Sequence, residues 1–180
     1  MKKKYIKDYI PKEDSSYEYT GKYYLYGGTK EERQASAKIQ LIYSGISLLL
    51  LLLSLSIPGK GGSTLYVVLP MELMMVCYVY HLIGSLGLFR VEGPMEQRFY
   101  DRIFERPMQV LTVALILEFF VISGQALGVI LPKAAVPWDW YMEGLLLLHF
   151  IISFPIWNKQ RKEMKKITEV SNTFGKGENF

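Results

Sequence analysis

Five ionisable side chains fall inside long apolar stretches of this sequence: Glu72, His81, Glu118, Glu143 and His149. A carboxyl or imidazole surrounded by hydrocarbon is costly, so each marks a candidate site rather than a solvated face. Histidine and glutamate together suit a few chemistries. They form a structural hydrogen bond between helices, a proton- or substrate-linked site, a metal ligand set, or, with two histidines, a pair of axial haem ligands. Which of these is open to the chain depends on depth and facing, and both are set by the elements that carry the residues.

Those elements are four apolar blocks, at about 39–57, 65–89, 108–131 and 136–157. Half of the 180 residues are hydrophobic, and they run together instead of alternating with polar ones. Each block is long enough to cross a hydrocarbon core of about 30 Å at about 1.5 Å per helical residue. No ten-residue alternation of the β-barrel kind is present. The expected fold is an all-α integral membrane protein, a four-transmembrane-helix bundle spanning 36–158. A Tyr-rich tail at 1–35 precedes it and a basic tail at 159–180 follows. No apolar run follows the basic Met1–Lys4, so the first span is expected to act as the targeting signal. Cys77 is the single cysteine, which excludes an intrachain disulfide.

All lysines and arginines except Lys60 and Lys133 fall in the two tails or the middle loop. The positive-inside rule then sets both termini and the middle loop in the cytoplasm, with the cell membrane as the expected location. Tyr43, Trp138, Trp140, Tyr141 and Trp157 sit near the predicted helix ends, as interfacial anchors do. The basic run Lys159–Lys166 reads as a contact with anionic lipid. No nucleic-acid-binding fold accompanies it, so no nucleic-acid partner is expected.

The N-terminal tail carries Tyr5, Tyr9, Tyr17, Tyr19, Tyr23, Tyr24 and Tyr26, too many aromatics for a free disordered segment. It is expected to be ordered or bound to a partner. Thr29 before Lys30-Glu31-Glu32 reads as an N-cap, from which a helix runs into the first span. In the middle loop Met95, Phe99, Ile103 and Phe104 recur at helical spacing. This predicts a short amphipathic surface helix after Pro94, ended by Pro107. It serves as a connector or, through Phe99, Arg102, Ile103 and Arg106, as a partner-docking face.

Depth sorts the five ionisable residues. Pro70 is expected to open the main helix of the second span and Pro137 the fourth. Glu72 and Glu143 then form an outer polar layer near the interface. His81, Glu118 and His149 lie eight to ten residues from the inner ends of their spans, about 12–15 Å deep. On the second span His81 shares a stripe with Met74, Cys77, Gly84 and Ser85. On the third, Glu118 shares one with Ala114, Gln125 and Gly128, and Gly124-x3-Gly128 is a close-approach motif. On the fourth, His149 shares one with Met142, Leu145 and Ser153. The expected intramembrane polar site is therefore His81, Glu118, His149 and Gln125, with Glu118 bonded to either histidine. No short-spacing motif of the H-E-x-x-H kind backs a metal or haem, so no cofactor is expected.

Gly59–Thr64 lacks the spacing of a phosphate-binding loop and reads as a hairpin. The leucine run at 48–53 reads as lipid-facing bulk. No nucleophile–base pair is visible in the polar segments. The function expected from this is a non-enzymatic accessory or assembly subunit of a larger membrane complex, with the bilayer and a membrane protein or second copy as partners. A membrane enzyme or redox protein using the His/Glu site, and a small oligomeric transporter or channel, are the alternatives.

Overall fold

The computed structural model describes residues 8–12, 16–58, 65–130 and 137–170. Residues 59–64, expected to form a hairpin, residues 131–136 with Lys133, and residues 171–180 lie outside the described residues. Among the described residues, four helices are long and apolar enough to cross a membrane. They are α1 (Lys30–Ser56), α2 (Leu65–Leu88), α4 (Arg106–Ile130) and α5 (Pro137–Met164). A single turn, α3 (Gln97–Tyr100), and a π-helical segment (Asp101–Glu105) run without a break into α4. Packing is cyclic: α2 lies between α1 and α4, and α5 closes the ring between α4 and α1. The core holds Leu51, Met71, Met74, Tyr78, Leu111, Ala114, Met142 and Leu146. Leu49, Leu52, Val76, Ile83, Phe119, Phe120 and Ile151 point outward, as apolar side chains do toward lipid tails.

Helix ends follow from local chemistry. The Thr29 hydroxyl accepts the Glu32 N–H at 3.2 Å, and Glu31 and Glu32 complement the positive end of the dipole. At the other end Pro58 holds Ile57 extended, with φ −75° and ψ 128°. Pro70 does not open α2, which is helical from Leu65; the proline sits inside it. Its missing N–H removes one ladder bond near the helix end, where tolerance is greatest. Of the leucine run, Leu49, Leu52 and Leu53 face out as expected, but Leu50 and Leu51 are buried.

The amphipathic loop helix is not formed as a separate surface element. Pro107 does not end a helix; it lies in the first turn of α4, inside a helix continuous from Gln97. The Arg106 N–H bonds the Asp101 carbonyl five residues back, and Pro107 has no N–H to give to Ile103. The Ile103 carbonyl so freed accepts the buried Gln160 amide of α5 at 3.3 Å, and the same amide donates to the Phe104 carbonyl at 3.2 Å. Ile103, expected on a docking face, is buried against α2: a Cβ on Gly87 would meet its Cγ1 at 2.8 Å. A Cβ on Gly84 would meet Pro107 Cγ at 2.5 Å. Phe99 and Arg106 are half-buried and Arg102 is exposed.

The chain is mostly helical, but five short strands among the described residues correct the all-α expectation. β1 (Tyr9–Pro11) and β2 (Tyr17–Tyr19) form a hairpin. β3 (Tyr23–Tyr26) is the middle strand of a second sheet, between β4 (Met95–Glu96) and β5 (Ile167–Val170). Tyr24 pairs with Met95 on one side and Glu169 on the other. The sheet thus ties together the three segments that the charge count assigns to one side. Strand alternation turns Tyr24 and Tyr26 toward the bundle, where Tyr24 stacks on Tyr100 at 4.1 Å and Tyr26 on Phe104 at 6.2 Å. Tyr23, Tyr24 and Tyr26 are thus held by this chain's own loop and tail.

Two of them tie down the cap electrostatically. The Tyr26 hydroxyl donates to Glu163, and the Tyr9 hydroxyl donates to Glu96 at 2.5 Å. Burial first, then the neighbouring carboxylate, pushes the Tyr9 pKa from its ordinary 10 up to about 12, and Tyr26 is raised by the same causes. A raised folded pKa stabilises the cap below the unfolded value of 10 and loses that contribution as pH climbs through the folded value. Limited proteolysis of the N-terminal strands should therefore accelerate between pH 10 and 12. Tyr9→Phe should remove part of the late tyrosinate absorbance step; an unchanged titration would show that the Glu96 bond does not hold this hydroxyl.

Candidate functional site

The polar residues of the spans collect in the interior. Tyr78, His81, Ser85, Glu118, Gln125, Glu143, His149 and Ser153 are all buried, whereas Glu72 is exposed. Glu72 sits on the outer face of α2, about half a turn from His81, so its chain is free to reach the interface. Glu143 does not share that fate: it faces the interior, and its Oε2 has no hydrogen-bond partner.

Glu118 of α4 bonds His149 of α5 side chain to side chain, Oε1 to Nδ1. The two helices are antiparallel neighbours, and both residues lie at mid-length, so the depth match read from sequence becomes a contact. The Tyr78 hydroxyl of α2 donates to Ser153 Oγ at 2.6 Å, and Ser153 in turn donates to the His149 carbonyl at 2.8 Å. The Tyr78 ring stands edge-on to the His149 ring at 5.1 Å. Imidazole and carboxylate are thereby held in one arrangement from three helices. A carboxylate on Nδ1 fixes the ring tautomer and leaves Nε2 as the accepting atom. His149 Nε2 and Glu118 Oε2 are both buried without a partner. The arrangement is that of a proton acceptor backed by a carboxylate.

His81 joins a different network. Its Nδ1 meets Ser44 Oγ of α1 at 2.8 Å, not Glu118. One turn along α2, Ser85 donates to Gln40 at 3.2 Å, and Gln40 donates to Ser36 at 3.3 Å. Among the described residues, no group of three His, Cys, Asp or Glu side chains comes together as a metal site. The His81–Glu118–His149 ligand set is therefore not assembled: His81 turns toward α1, on which the serines stand. Gln125 is buried two turns from Glu118 on the same helix and, by the antiparallel register, stands level with Met142 and Glu143. At Gly124 the Tyr66 ring of α2 approaches to 3.3 Å from where a Cβ would stand; the surroundings of Gly128, the other half of the expected close-approach spacing, lie outside the described residues.

The polar face of α1 went unread in the sequence. Arg33, Ser36, Gln40, Ser44, Ser47 and Ser54 are all buried on it. Their spacing of three, four and seven is the helical signal, masked by the leucines between them. Compared with known protein families, with curated proteins and with solved structures, the chain matches none.

Proposed function

We propose that the chain is a small multi-pass transporter of the cell membrane, with both termini in the cytoplasm, in which proton binding at the Glu118–His149 pair is linked to passage of a small polar solute. One observation carries the reading: a buried carboxylate–imidazole bond at mid-bundle leaves His149 Nε2 without a partner. A histidine so backed takes up and releases a proton without leaving its position, and ionisable groups in membrane interiors serve such relays. Gln125 and Glu143 extend polar groups from the pair toward the end of the bundle away from the strand cap. His81, Ser44, Ser85 and Gln40 extend them toward the cap. Orientation rests on the lysine and arginine distribution.

The test is solute-driven proton movement in liposomes, followed with an internal pH dye across a panel of amino acids, sugars and organic ions. Wild-type protein should move protons with at least one solute, and Glu118→Gln, which keeps an acceptor for Nδ1 but loses the charge, should slow this at least about tenfold. General acid–base groups contribute effects of about that size or more. Proton movement that is equal in the variant, or absent for the whole panel, sinks the proposal.

The accessory-subunit reading keeps one specific support. Phe119, Phe120, Phe150, Phe154 and Trp157 line a broad apolar groove of about 450 Å³ along α4 and α5, of the kind that receives a partner's transmembrane helix. Native mass spectrometry on protein extracted gently from its own membrane separates the readings: a second polypeptide supports the subunit, and a bare monomer or homo-oligomer counts against it.

A further inference from the structure

We infer that the groove between α1 and α5, at the cap end of the bundle, is a binding site for one anionic glycerophospholipid. Lys159 and Lys162 hold its phosphate, and an acyl chain lies along Ile39, Tyr43, Pro155 and Ile156. The groove is lined by those four residues with Gln40 and Lys159 and has a volume of about 200 Å³. That is too small for a helix, whose diameter with side chains is about 10–12 Å, but it suits a single hydrocarbon chain. Pro155 and Ile156 of α5 line it together with Ile39 and Tyr43 of α1.

Charge selects the headgroup. Lys159 stands two residues past Trp157, whose indole donates to Thr112 at 3.0 Å and carries Arg161 over its ring at 5.4 Å, a pattern suited to the interface. Lys162 follows one turn further on the same side of the helix and is exposed. The nearest acid to Lys159 is Glu163, at 4.0 Å. That carboxylate already accepts the Tyr26 hydroxyl and meets Lys166 at 3.6 Å. The Lys159 ammonium is therefore only loosely engaged and stands at the polar end of an apolar channel. Gln40 supplies the polar part of the wall while accepting the Ser85 hydroxyl, so the lipid would lie directly against the α1–α2 polar network.

The proposal is independent of the proton reading and has its own test. The purified full chain is exchanged into mixed micelles containing phosphatidylglycerol or phosphatidylcholine with identical acyl chains, and retained lipid is read by native mass spectrometry. Phosphatidylglycerol should be retained at least about fivefold over phosphatidylcholine, the scale expected for one basic side chain near a lipid surface. Lys159→Ala/Lys162→Ala should bring it down to the phosphatidylcholine level. Ile39→Trp, which fills the groove and keeps both charges, should also reduce it. Equal retention of the two lipids, or wild-type retention in either variant, overturns the site.

Discussion

Replacing Glu118 and His149 together by leucine should leave the bundle more stable than replacing either alone. A single leucine strands the other polar group at a position of zero exposure. Breaking a buried pair from one side costs about 3–5 kcal/mol. Removing both partners removes the desolvation penalty with the bond, so the double variant should unfold within about 1 kcal/mol of wild type. Reversible unfolding in mixed detergent and dodecyl sulfate micelles measures all four proteins of the cycle. If the double variant loses the sum of the two single losses, the residues do not act as a pair. Function should separate from stability in the same set: the double variant folds, yet moves no protons. A pair kept only to specify packing would tolerate the double replacement in every assay.

Gln160→Leu should be the most damaging change outside that pair. It keeps the side-chain volume but withdraws the amide that both the Ile103 and Phe104 carbonyls accept. A buried carbonyl left unpaired costs about 1–3 kcal/mol, and a loss in that range is expected in the same unfolding assay. The origin of the need is Pro107, which lacks the N–H for Ile103. Adding Pro107→Ala should therefore return about 1 kcal/mol to Gln160→Leu, one ordinary hydrogen bond. No recovery would mean that the π-helical segment, and not the proline, sets the demand for Gln160.

What is legible in the sequence follows a physical rule. Spans, buried stripes and the Thr29 cap are written in residues within a few positions of one another. The Glu118–His149 match is legible because two antiparallel apolar helices of similar length bring their midpoints level. His81 was misplaced because its partner, Ser44, is a small polar residue in a leucine-rich helix, and a serine gives little warning of burial. The cap was unreadable for another reason. β3 pairs with β5 across the whole chain, Tyr26 with Ile167, and four tyrosine-rich residues do not reveal so distant a partner.

By itself the sequence determined the long apolar helices, the inward stripes of the second and third of them and the segments that carry the positive charge, because hydrophobic length and helical period are local properties. Tertiary structure alone decided which histidine meets Glu118, that Gln160 supplies the donor Pro107 lacks, and that Tyr24 and Tyr26 close the bundle end. Each of these depends on rotation and register between elements far apart in the chain, and those are set only when every helix packs at once.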